Sequence, residues 1–152
     1  MFLALFSREM PLAQFSIASA KKLNECHIDL QNLFSEVIKH YDCTILEGHR
    51  PQHLQDKYYA EKKSKTPWPK SKHNSMPSLA VDAMPYPITW PDHKSPTYVK
   101  DLAKLYHFVG YVKATADHLG IKIRCGADWD GDLDIKDQTF DDLPHFELVN
   151  PK

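Results

Sequence analysis

Between residues 15 and 41, apolar positions recur at near-helical spacing. Leu23, Leu30, Leu33, Phe34, Val37 and Ile38 fall on one stripe with polar residues between them. The spacing predicts one long helix, capped by Ser16 or Ser19. A second stripe, Leu102, Leu105, Val109 and Val112, predicts a helix from Tyr98 to Gly120, where the glycine ends it. "PQHLQDKYYAEKK" reads as a shorter helix with Pro51 at its first turn. Elsewhere the pattern shortens. "TIL" at 44–46, "SLAVDAM" at 78–84, "IKIRCG" at 121–126 and "HFELV" at 145–149 read as strands. Strands this few and this short, interspersed with helices, predict a small α+β sheet rather than a doubly wound one.

Composition narrows the class. The 152 residues fit one domain, 1–152, with residues 1–15 as an extension that needs no fixed place in it. A net charge of −1 argues against a nucleic-acid binder, which needs an excess of Lys and Arg. Cys26, Cys43 and Cys125 are odd in number and widely spaced, as expected of reduced, buried thiols. The opening "MFLALF" has no basic residue before it and no small-residue cleavage site after it. It is too short for an export signal or a membrane span, and Met10 is an alternative start. These features lead us to expect a cytoplasmically made protein with no membrane span.

Chemistry-bearing residues cluster at strand ends: Arg50, His73, Asp82, Asp142 and His145. A catalytic zinc takes three ligands from His, Asp, Glu or Cys and keeps a fourth position for water. His73, Asp82 and His145 have the right chemistry, and Asp142, three residues before His145 in "DLPH", has the right type for the base. Nine histidines allow many such choices, however, and there is no HExxH turn to make the choice specific. On the residues alone, a metal site and an ordinary set of polar side chains both stand.

Sequence motifs carry further information. "SKH" with "AVD", followed by "DLPHFEL", resembles the zinc peptidases that cut bacterial cell-wall peptides, among them D-Ala-D-Ala carboxypeptidases and phage endolysins. Within that group the chain looks most like phage L-alanyl-D-glutamate endopeptidases. The likeness runs through "YDCTILEGHR", Gln55, "AVDAMPYP" and "LGIKIRCGADWDGD". The resemblance implies a small antiparallel sheet with flanking helices, of the Hedgehog/DD-peptidase type. It also implies one Zn²⁺ on His73, Asp82 and His145, Asp142 as the catalytic acid and base, and Arg50 polarising the substrate carbonyl. Two features depart from the family pattern. His73 and Asp82 are nine residues apart instead of seven, with Met76-Pro77-Ser78 where a glycine turn is usual, and the base is Asp rather than Glu. The extra residues read as an insertion between two fixed anchors.

The expected function is therefore phage-type hydrolysis of the L-Ala–D-Glu bond in peptidoglycan by a monomer that acts on the cell wall after release. The alternatives are a D-Ala-D-Ala carboxypeptidase or dipeptidase, and a non-catalytic virion component that binds cell-wall peptide. Glu147, two residues after His145, shares its strand face and is expected to hydrogen-bond a ligand histidine. The acidic run containing Asp128, Asp130 and Asp132 reads first as a solvated loop and second as a regulatory Ca²⁺ site. It is not an EF-hand, because Leu133 and Thr139 stand where Gly and Glu are required. Lysines interleaved with aromatics at 57–72 read as a basic rim that attracts an anionic polymer. His49 and His53 read as surface residues. "AMPYPITWP" reads as core cover or as a substrate wall.

Overall fold

A computed structural model describes residues 12–151. Helices α1 (Ile17–Asn24), α2 (Ile28–His40), α3 (Gln52–Ala60) and α4 (Tyr98–Leu119) surround strands β1 (Cys43–Glu47), β2 (Ala80–Pro85), β3 (Ile123–Gly126) and β4 (Asp142–Leu148). A short 3₁₀ turn covers Lys72–Asn74. The strands form one antiparallel sheet in the order β1-β2-β4-β3. The expected α+β architecture is therefore present. The opening hexamer and Met10 lie outside the described residues, whereas Ala13 and Phe15 already pack against the core.

Strand alternation sorts the sheet's two faces. Phe146 and Leu148 of β4 point into the core, where Phe146 meets Phe34 of α2 edge-on at 5.6 Å and Phe108 of α4 at 6.1 Å. Val81, Ala83, Ile45 and Cys125 complete that layer. The residues between them, Asp82, His145 and Glu147, face the other way, toward the site. Truncating Phe146 to alanine is expected to cost about 3–5 kcal/mol.

The reading of one helix over 15–41 is corrected: two helices meet at Glu25–His27. Here the Glu25 carbonyl accepts from Ser78 N–H at 2.8 Å, and His27 N–H donates to the Ser78 carbonyl at 2.8 Å. The backbone groups that would continue the helix instead pair with Ser78, as a bridge between Cys26 and Ser78. Ser16 caps α1, and the His27 ring accepts from Asp29 N–H to cap α2. Helix α4 has the bounds its stripe predicts and ends at Gly120, φ +69°. Pro51 stands just before α3 as its cap rather than inside its first turn. All three cysteines are buried and free.

Candidate metal centre and cleft

The site begins as a row across the sheet. Glu47 pairs with Asp82, and Asp82 with His145, so three neighbouring strands each place one polar side chain on the same face. A register shift between Ile45 and Glu47 brings Glu47 into that row. His73 enters from the 3₁₀ turn, which is closed by a reciprocal cap between Ser71 and Asn74. Its carbonyl accepts from Arg50 N–H at 2.8 Å.

Three donor atoms converge. His73 Nε2 lies 3.2 Å from Asp82 Oδ1 and 3.2 Å from His145 Nδ1, and the last two are 3.1 Å apart. The other ring nitrogen of each histidine is already committed. His73 Nδ1 is 2.7 Å from the Gly48 carbonyl, which only accepts, so Nδ1 carries the proton. His145 Nε2 donates to Glu147 Oε2 at 2.9 Å. In their neutral forms the two imidazoles aim lone pairs at a carboxylate oxygen, an arrangement that calls for a positive charge, a proton or a metal ion, at its centre. Ligands about 2.0–2.1 Å from a tetrahedral zinc stand roughly 3.3 Å apart, so the donor set fits such an ion in type and spacing.

The same demand governs the metal-free charges. Burial opposes the imidazolium at His145, but hydrogen bonds to Asp82 and Glu147 outweigh it and raise the group to about 9. Burial likewise opposes ionisation of Asp82, yet the two histidines hold its carboxyl well below the usual range. Glu147 is lowered: His145 and Arg124 overcome its burial. Arg124 Nε donates to Glu147 Oε1 at 3.0 Å, so the chain Arg124–Glu147–His145 fixes the ring.

Asp142 and His145 are three apart, and a regular strand would turn them to opposite faces. Strand β4 is not regular. Cys125 pairs with Phe146 while its neighbour Gly126 pairs with Asp142, so residues 143–145 are looped out opposite a single step of β3. Pro144, which has no N–H for a ladder, sits in that bulge. Gly126 makes the turn fit, because a Cβ there would stand 2.0 Å from the Asp142 carbonyl oxygen. Asp142 thus lines the same cleft as the three donors. Its carboxyl is raised by burial and by the nearby Asp82 charge.

Arg50 is held on several sides. Its Nε donates to Glu47 Oε2 at 2.9 Å, Nη2 pairs with the same oxygen, and Nη1 donates to Gln55 Oε1 at 3.1 Å. The guanidinium lies 5.0 Å from the centre of the Tyr58 ring. Nη2 also lies 3.8 Å from Asp82 Oδ2, so the guanidinium sits beside the donor set. One N–H on each terminal nitrogen has no hydrogen-bond partner among the described residues.

The cleft encloses about 290 Å³ between the donors and the basic loop after α3. The inserted Met76-Pro77-Ser78 is not part of its wall: Met76 and Pro77 are exposed, and Ser78 is anchored behind by Gly48 and Ala80 carbonyls. Tyr86, Ile88 and Trp90 are exposed and lie outside the lining, and His49 turns to the Ser75 carbonyl. Composition and spacing did not single out Glu47, Arg124, Trp129 or Phe140. Only the opposite charge of Glu47 three residues before Arg50 offered a signal.

The acidic loop has a cation already. The buried Asp128 carboxylate pairs with Lys113 and accepts from Gly131 N–H at 2.8 Å and Leu133 N–H at 3.3 Å. The carboxylates of Asp130 and Asp132 are exposed and accept from backbone N–H groups two residues on. The Asp128, Asp130 and Asp132 carboxylates approach closely enough to share a cation, but Asp128 already has Lys113, and the other two are exposed and bonded to the loop's own backbone.

Fold and cleft define a small α+β domain with a candidate metal centre. The family model described as phage L-alanyl-D-glutamate peptidase matches residues 12–149, and the chain belongs to that family. It is accordingly a peptidase. Among solved structures it is similar to the Serratia marcescens L-Ala D-Glu endopeptidase ChiX, with a TM-score of 0.68 and 20% identity over 93% of this chain and 94% of that one. At that identity the likeness is one of fold. None of the curated proteins matches the chain. No helix among the described residues is long and apolar enough to cross a membrane.

Proposed function

We propose that the chain is a zinc-dependent peptidoglycan peptidase of the phage endolysin type, hydrolysing the L-Ala–D-Glu bond of cell-wall stem peptides. The observation that carries the metal is the convergence of His73 Nε2, His145 Nδ1 and Asp82 Oδ1 with both remaining ring nitrogens already donating. The bond is the one for which the family is described.

A zinc ion on these residues supplies Lewis acidity, which brings the pKa of a water toward about 7. The chain's own groups do the rest. Asp142 accepts the water proton as the oxygen attacks the scissile carbonyl carbon. Burial and the Asp82 charge raise its carboxyl, the direction that favours a group that must both take and return a proton. The free N–H groups of Arg50 donate to the carbonyl oxygen as negative charge develops there. Asp142 then delivers the proton to the leaving nitrogen as the C–N bond breaks. Glu147 keeps the His145 ring oriented throughout. All these residues come from one chain, so the site is complete without a second copy.

Metal removal tests the proposal. Chelator-stripped protein is expected to lose hydrolysis of an L-Ala–D-Glu peptide and to regain it with stoichiometric zinc. Undiminished hydrolysis by metal-free protein overturns it.

A further inference from the structure

An L-alanyl-D-glutamate bond leaves the glutamate with two carboxyl groups, of which at most one continues the peptide. The leaving side of the substrate therefore carries a carboxylate close to the scissile bond. The cleft meets it with a basic wall: Lys63, Lys65, Lys70, Lys72 and Arg124 all line it. Lys63 is paired with Glu61, and Arg124 with Glu147. Among the described residues, Lys65, Lys70 and Lys72 have no carboxylate partner. No hydrogen bond fixes the ammonium of Lys70 or Lys72.

Lys65 is different because it is held from both sides. Its Nζ lies 3.7 Å from the centre of the Phe140 ring, two residues before Asp142. Phe140 stacks on Trp129 with an interplanar angle of 8°, and Trp129 Nε1 donates to the Phe140 carbonyl at 2.7 Å. Trp129 in turn packs on His145, with ring centres 5.5 Å apart. From the other side, the fully buried Gln55 secures both neighbours of Lys65. Its Nε2 donates to Ser64 Oγ at 2.8 Å and to the Thr66 carbonyl at 2.6 Å. The Oε1 of the same amide accepts from Arg50 Nη1 and from Asn74 Nδ2, each at 3.1 Å. One buried side chain thus ties the Lys65 loop to Arg50 and to the turn that carries His73.

Resting on the function proposed above, we infer that Lys65 is the residue that reads the free carboxylate of the glutamate on the leaving side of the scissile bond. Its ammonium is preorganised over Phe140, at a position that Gln55 holds relative to Arg50 and His73. Lys65 meets the substrate by a charge-assisted hydrogen bond from its ammonium and moves no proton.

Two zinc-loaded peptide assays decide it, using substrates that differ only in whether the free glutamate carboxyl is a carboxylate or a carboxamide. Wild type is expected to favour the acid by about tenfold in kcat/KM, mainly through KM, the size of a hydrogen bond to a charged group. Lys65→Met brings that ratio close to one, Lys65→Arg keeps most of it, and Lys70→Met keeps it all. Wild type that cuts both peptides without preference overturns the assignment of Lys65 and leaves the peptidase reading intact. An unchanged ratio in Lys65→Met, or a ratio lost in Lys70→Met instead, does the same. Wild type that cuts neither peptide overturns both.

Discussion

Asp82 and His145 are 63 residues apart in sequence and directly opposed across β2 and β4, with Oδ1 and Nδ1 3.1 Å apart. The sheet register, rather than a local motif, makes this half of the candidate metal centre. His73 is then brought to it by a turn anchored on Gly48 and Arg50.

The base is tested by removing its charge without its shape. Asp142→Asn is expected to bind zinc as wild type does and to lose turnover by about 10²–10⁴-fold, the usual contribution of a general base. Metal content and kcat, measured on one preparation, check both halves. Wild-type turnover would move the role to another carboxylate.

A backbone contact tests the placement of that base. A Cβ at Gly126 would meet the Asp142 carbonyl oxygen at 2.0 Å and its carbon at 2.6 Å. Gly126→Ala must therefore displace Asp142, and a displacement of about 1 Å can cost about 10²-fold in rate. The expected result is a folded protein with retained zinc and a kcat lowered at least tenfold; unchanged kcat would show that the bulge is not what aims Asp142.

Glu147 should act through His145. Glu147→Gln keeps a hydrogen-bond acceptor but removes the charge shared with Arg124, and is expected to weaken zinc binding by about 10–100-fold. Competition with a chromogenic chelator measures it. Affinity equal to wild type would reduce Glu147 to a structural ion pair.

Metal-free protein should show the protonation that zinc replaces. His145 is raised from 6.5 to about 9 in the folded state, so its contribution to stability is complete below pH 6.5 and is lost as pH rises through about 9. The melting temperature of the metal-free protein should fall by several degrees across that window, and a smaller fall is expected with zinc bound. Equal slopes with and without zinc would contradict the shared site.

Much of this was legible beforehand, for physical reasons. Helix α4 is a long amphipathic stripe with a glycine stop, so local pattern suffices. The donor set was visible only through the family likeness of "SKH", "AVD" and "DLPH", because the spacing of lone histidines carries no geometry. Two features were hidden. The helix break at Cys26 depends on Ser78, which offers its own N–H and carbonyl to Glu25 and His27. The bulge that turns Asp142 toward His145 depends on the close approach of Gly126. Both are tertiary contacts between distant segments, and local propensity does not encode them. Trp129 and Phe140 carry no local signal, since they lie in an acidic run whose charges turn mainly to its own backbone and to Lys113.

Purified peptidoglycan digested with the zinc-loaded protein, with and without a chelator, and read by mass spectrometry, puts the central claim to its most direct test. New fragments ending in a free L-alanyl carboxyl group, absent when chelator is added, are the predicted result. Release of terminal D-Ala, cleavage that survives the chelator, or no new fragments from folded, zinc-loaded protein would contradict it.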